Sequence, residues 1–91
     1  MLSLGAHHNQ IINNWIGINW NDTVIPNEFG VVILGGAADN TIGGDRPGTV
    51  CASPCNLISG NSYAGVEIAG SATQRNGVKG NYIGVDTAGQ A

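Results

Sequence analysis

The sequence predicts an all-β fold made of very short strands, on three observations. Glycine and asparagine together fill 26 of the 91 positions (15 Gly and 11 Asn). Ten Ile and seven Val recur at regular intervals among them. Short apolar elements repeat three times in the same order. Gly and Asn both carry helix penalties and both tolerate positive φ, whereas Ile and Val favour pleated, packed surfaces. Disorder is the competing reading of so much Gly and Asn, but a disordered chain lacks recurring branched aliphatics.

The first element is Gly30-Val31-Val32-Ile33, repeated 35 residues on as Gly65-Val66-Glu67-Ile68. The second is Asn9-Gln10-Ile11, then Asn40-Thr41-Ile42, then Asn76-Gly77-Val78. The third is Asn14-Trp15-Ile16-Gly17, then Asn56-Leu57-Ile58, then Asn81-Tyr82-Ile83-Gly84. Three apolar rows follow: Leu2, Ile33, Ile68; Ile11, Ile42, Val78; and Ile16, Ile58, Ile83. Steps of about 9, 5 and 10 residues leave no room for helices and suit three short strands joined by tight corners. This predicts a parallel β-solenoid of about three coils, spanning roughly 1–29, 30–61 and 62–91, with loops at 17–29 and 45–55. A second offset, of 20 residues, aligns 56–61 with 76–81 and leaves the register of that one strand open.

The asparagines at Asn9, Asn40 and Asn76, and at Asn14, Asn56 and Asn81, keep step with the apolar rows and fall at corners. There a side-chain amide can bond its own turn and the amide of the next coil, forming a ladder. Ordinary surface turns are the alternative, although scattered turn residues would not hold register with the Ile rows. Gly44, Gly60 and Gly80 end strands where the chain bends, and Asn13, which tolerates positive φ, takes a similar place.

Charge narrows the function classes. Three basic and six acidic residues give a net charge of −3, which offers no footprint for nucleic acid and no polybasic membrane patch. No apolar run approaches the roughly 20 residues that a bilayer helix needs, and the start Met1-Leu2-Ser3-Leu4-Gly5 lacks the basic end and long apolar stretch of a signal peptide. His7 and His8 are adjacent and face opposite sides of an extended strand, so they cannot chelate one metal together. No phosphate-binding or dinucleotide motif is present, and no cofactor is expected.

Residues 30–44 and 56–91 closely resemble the right-handed parallel β-helix repeats of the pectin-lyase-like superfamily, in particular the I-G-G and N-x-I-S-G-N repeats of large bacterial secreted or surface proteins. The resemblance covers nearly the whole chain and implies a right-handed coil and an extracellular or cell-surface location. It implies little about activity, because that superfamily includes lyases, hydrolases, adhesins and modules without an assigned role. Its lyases hold Ca²⁺ with several carboxylates and use an Arg or Lys base, and its hydrolases use clustered Asp residues. Here Glu67 stands beside Val32, Asp86 aligns with Asn19, Asp45 opens a loop and Asp39 lies at a corner, so no two acids share a row. Asp22 and Glu28, in the loop 17–29, are the remaining pair that could meet, and Arg46, Arg75 and Lys79 are scattered. Against the repeat pattern, 45–55 looks like an insertion. Cys51 and Cys55, four residues apart across a Pro-bearing turn, can close it as a disulfide or stand as two free thiols.

Trp15 and Tyr82 occupy the same place in the third element, with Leu57 between them. An outward aromatic column there could stack on sugar rings or could shield strand backbone. Trp20 and Phe29 are expected to fold the 17–29 loop onto that face. Solenoids normally close both ends with a cap, and none is read here; residues 9–17 match 76–84 at an offset of 67. Open, matching ends predict head-to-tail self-association, which need not close and so gives filaments. The expected function is a non-catalytic structural β-helix module. The alternatives are a carbohydrate-binding module recognising a polysaccharide, or a truncated fragment of a polysaccharide lyase or glycoside hydrolase.

Overall fold

The computed structural model describes residues 1–19, 21–45, 48 and 51–85. The described residues form eight strands and no helix: β1 (Gln10–Ile11), β2 (Trp15–Ile16), β3 (Phe29–Ile33), β4 (Thr41–Gly43), β5 (Leu57–Ile58), β6 (Ala64–Ile68), β7 (Gly77–Lys79) and β8 (Tyr82–Ile83). They assemble as three small parallel sheets, ordered β1-β4-β7, β2-β5-β8 and β3-β6. The chain visits the sheets in a repeating order and pairs each strand with its counterpart one repeat away. Such all-parallel stacks of short strands are consistent with a β-helix.

The register places the three apolar rows as read from the repeats. Ile11 pairs with Ile42 and Ile42 with Val78. Ile16 pairs with Ile58 and Ile58 with Ile83. Ile33 pairs with Ile68, and an isolated parallel bridge joins Leu2 to Ile33. The β2-β5-β8 register is therefore the one set by the Ile row, and the offset of 20 is set aside. Ile33, Ile42 and Ile58, central in their rows, have no exposed surface, and with Val31 and Ala37 they make the core. Leu2, Ile11, Ile16 and Val66 pack against it from either side.

Strands of two to five residues supply few hydrogen bonds each, so the corners must hold the stack together. Two corners repeat one design. The side-chain oxygen of Asn40 accepts from the backbone N–H and the side-chain amide of Asn9, at 3.0 and 2.9 Å, and Asn76 receives the same pair from Asn40, both at 3.0 Å. The other column runs Asn14, Asn56, Asn81, with the matching four bonds at 2.9–3.1 Å. The amide of Asn56 also donates to the Ile11 carbonyl, and that of Asn81 to the Ile42 carbonyl. Asn40 and Asn56 are 1% and 0% exposed, a depth that polar side chains occupy only when satisfied.

Close packing beneath the ladder explains the glycines. Gly17 and Gly43 have φ of +87°, and a Cβ on Gly43 would collide with the Lys79 carbonyl and the Asn81 side chain. A Cβ on Gly17 would meet the Ser59 carbonyl and Asn61 in the same way. At the corner after β4 the sequence reading needs correction: the left-handed residue is Gly43, and Gly44 has no positive φ. The 51–55 segment folds back over this point, with the Pro54 ring against Gly44.

The buried middle row predicts an asymmetric response to truncation. Ile58→Ala should cost about 2–5 kcal/mol, the usual range for a fully buried Ile. Ile83→Ala, in the same row but 44% exposed, should cost markedly less. Urea midpoints of the two variants, at equal m-value, check the difference.

Candidate functional site

The predicted site residues fall into three groups, and the structure adds two features that the sequence reading did not contain. The six ladder asparagines stand in two columns, as described. A third column lies at the remaining corner: the side-chain oxygen of Asn61 accepts from the Asn27 backbone N–H at 3.1 Å and from its amide at 3.3 Å, while the Asn61 amide reaches the Ile16 carbonyl. This pair escaped the reading because it is out of step with the strand that follows. Phe29 pairs with Ala64, an offset of 35, whereas Asn27 pairs with Asn61, an offset of 34. The extra residue is absorbed at Glu28, whose carbonyl accepts from both Tyr63 and Ala64 N–H. Two residues opposing one is the geometry of a β-bulge.

The second unforeseen feature is a column of left-handed residues just before the first ladder. His8, Asp39 and Arg75 have φ of 57°, 59° and 55°, and each immediately precedes a ladder asparagine. A non-glycine residue in this conformation costs on the order of 1–2 kcal/mol, and the turn holds it because the next residue is locked by its amide. The Arg75 guanidinium grips the Asp39 carboxylate with two hydrogen bonds, at 2.7 and 3.1 Å. The His8 N–H donates to the Asp39 carbonyl. The Arg75 side chain beside it holds the Asp39 carboxyl below the usual carboxylate range, chiefly through the hydrogen bond. His7 and His8 do not face opposite sides as an extended strand would set them: His8 is left-handed, and the two rings meet edge to face with centroids 5.0 Å apart.

Trp15, Leu57 and Tyr82 are in direct register across β2, β5 and β8. Trp15 is 49% exposed and Leu57 only 2%, with Tyr82 half-buried. The column is therefore an open indole beside a closed apolar centre. Phe29 does not join it. It heads β3, and its ring meets Tyr63 edge to face, with centroids 5.1 Å apart, on a different sheet. Trp20 lies outside the described residues. The loop after β2 folds on its own terms: Ile18 bridges Val24 in antiparallel fashion, the Asn19 side-chain oxygen accepts from Asn21 and Thr23 N–H, and a Val24 methyl covers Gly60.

Cys51 and Cys55 form a disulfide with Cα atoms 5.2 Å apart, and Cys55 is buried. So short a loop gains at most about 2 kcal/mol in the chain-entropy account, so the bond fixes local shape more than global stability.

The acids are spread out. Glu67 pairs with Val32, Asp39 is held by Arg75, and Asp45 lies 3.4 Å from the Lys79 amine. Asp22 and Glu28 are both exposed. Asp86 and Arg46 are outside the described residues. Among the described residues no three His, Cys, Asp or Glu side chains gather as metal ligands. Searches against protein-family models, curated proteins and solved structures each find no match to this chain.

The Asp39–Arg75 pair makes a prediction about pH. Because folding lowers the Asp39 pKa, the pair stabilises the fold above the unfolded pKa, and that contribution is lost as the carboxylate protonates. Arg75→Gln should therefore lower the urea midpoint slightly at pH 7, consistent with an exposed pair, and should do so less at high salt. Its midpoint should converge with that of the parent chain as pH falls below about 4.

Proposed function

We propose that this chain is a non-catalytic structural module: about three coils of right-handed parallel β-helix, of the pectin-lyase-like kind, acting outside the cell and associating end to end into filaments. One observation carries the reading. The apolar rows that are fully buried at Ile33, Ile42 and Ile58 continue into Ile68, Val78 and Ile83, which are 41%, 38% and 44% exposed. A row that is core in one strand and surface in the next has an unpaired face with the chemistry of the interior, and such edges invite pairing. The scattered acids support a structural role over a catalytic one. The disulfide supports an oxidising, extracytoplasmic setting. With a net charge of −3, neither nucleic acid nor an anionic membrane surface is the expected partner.

Negative-stain electron microscopy over a concentration series tests this directly. Regular fibres about one solenoid wide are expected at the higher concentrations, and discrete particles at every concentration would overturn the reading.

A second reading rests on the half-exposed Trp15 in register with Leu57 and Tyr82. It makes this face a platform for a polysaccharide, with sugar rings stacked on the indole. Retention on an insoluble polysaccharide, abolished by Trp15→Ala with the far-UV spectrum unchanged, is the expected result; equal retention of both proteins would remove it.

A further inference from the structure

We infer that the asparagine ladders give end-to-end association a single polarity and a fixed register: Asn76 and Asn81 of one copy engage Asn9 and Asn14 of the next copy. The inference rests on the stacking reading above and adds the direction and the contacts. In both columns every ladder bond points the same way. The backbone N–H of the earlier asparagine donates to the side-chain oxygen of the later one, from Asn9 to Asn40 to Asn76 and from Asn14 to Asn56 to Asn81. A chain of such bonds leaves unlike groups at its two ends. Among the described residues the Asn9 and Asn14 side-chain oxygens accept no hydrogen bond, and the Asn76 and Asn81 N–H groups donate none. One end offers acceptors at two corners, and the other offers donors at the same two corners.

The strand backbones are polarised to match. The N–H groups of Thr41, Leu57 and Ser59 donate back to the carbonyls of Asn9, Asn14 and Ile16, and Gly77, Tyr82 and Gly84 repeat this one strand on. Continued into a second copy, the pattern sets the N–H of its Gln10, Trp15 and Gly17 on the carbonyls of Asn76, Asn81 and Ile83. Each of these donor–acceptor pairs is 66 residues apart, one residue off the 67-residue register that relates 9–17 to 76–84, just as the Thr41 N–H bond to the Asn9 carbonyl is one residue off the Gln10–Thr41 pairing. The corner geometry agrees, since Asn13 and Gly80, also 67 apart, have φ of 63° and 70°. The apolar rows agree as well: Val78 and Ile83 would cover the half-buried Ile11 and Ile16. Two like ends would set donors against donors or acceptors against acceptors, so a second copy fits in one orientation.

Cross-linking between copies reads the polarity. Gln10 and Gly77 would be neighbours across the contact, with Cα atoms one strand spacing apart, about 4.8 Å. Gln10 is exposed, and a Cβ on Gly77 meets nothing within 4 Å. Gln10→Cys and Gly77→Cys chains, each with the native disulfide intact, are treated with a short bis-maleimide separately and as a mixture. The expected result is dimer from the mixture and little from either chain alone. Dimer from Gln10→Cys alone, or fibres in the parent chain with no cross-link from the mixture, would overturn the polarity and leave stacking standing. Failure of the parent chain to associate at all would overturn both, and the two failures are thereby separated. Gln10→Pro supplies an independent measurement, because it removes an N–H that points away from β4 on an edge strand, where proline is tolerated. With an unchanged monomer spectrum it should move the association midpoint about tenfold higher in concentration. An unmoved midpoint would count against the register.

Discussion

A side-chain carbonyl accepting the N–H of the residue that occupies its own place one repeat earlier is the interaction on which this structure depends. The strands are too short to specify their own pairing, since two hydrogen-bonded residues can slip at little cost. The corner asparagine removes that freedom. It fixes the height of each strand on its neighbour, uses both functions of its amide, and does so at a burial where an unpaired polar group would cost about 1–3 kcal/mol. Ile33, Ile42 and Ile58 can then be fully enclosed, because the residues above and below them cannot shift out of line.

The glycines and the left-handed column are consequences of the same device. An amide laid flat against the preceding repeat leaves no volume for a Cβ at Gly17 or Gly43. At the first corner the residue before each ladder amide takes a left-handed bend, and it is His8, Asp39 and Arg75 rather than glycine that take it. Three stacked left-handed residues carry a conformational cost, and the carboxylate–guanidinium contact between two of them partly offsets it.

Legibility in the sequence followed periodicity. The apolar rows and the six ladder asparagines were readable because each recurs with its neighbours at matching steps, and a row such as Ile11, Ile42, Val78 has no other simple explanation. Asn27 and Asn61 were not, because a single bulged residue at Tyr63 puts them out of phase with the strand they precede. The left-handed column was hidden for another reason: histidine, aspartate and arginine share no propensity that announces positive φ, and only their common place before an asparagine links them. Phe29 sits at the end of a stretch, 17–29, that has no repeat partner in the sequence, yet its backbone already belongs to β3. Burial within the Trp15 column was also illegible, since Leu57 closes between its neighbours through packing that strand alternation does not encode.

The two insertions show what this construction permits. The hairpin after β2 and the disulfide-closed segment after β4 both leave the stack at a corner and return to it in register, so that Ile58 still pairs with Ile16 and Ile83. Each strand answers only to its neighbours one repeat away, so length added at a corner is not transmitted to the core. Variation in such a chain can therefore accumulate in the segments that loop out between strands, while the ladder asparagines and their glycines stay fixed, and the fold separates the positions that must be kept from those free to acquire new surface chemistry.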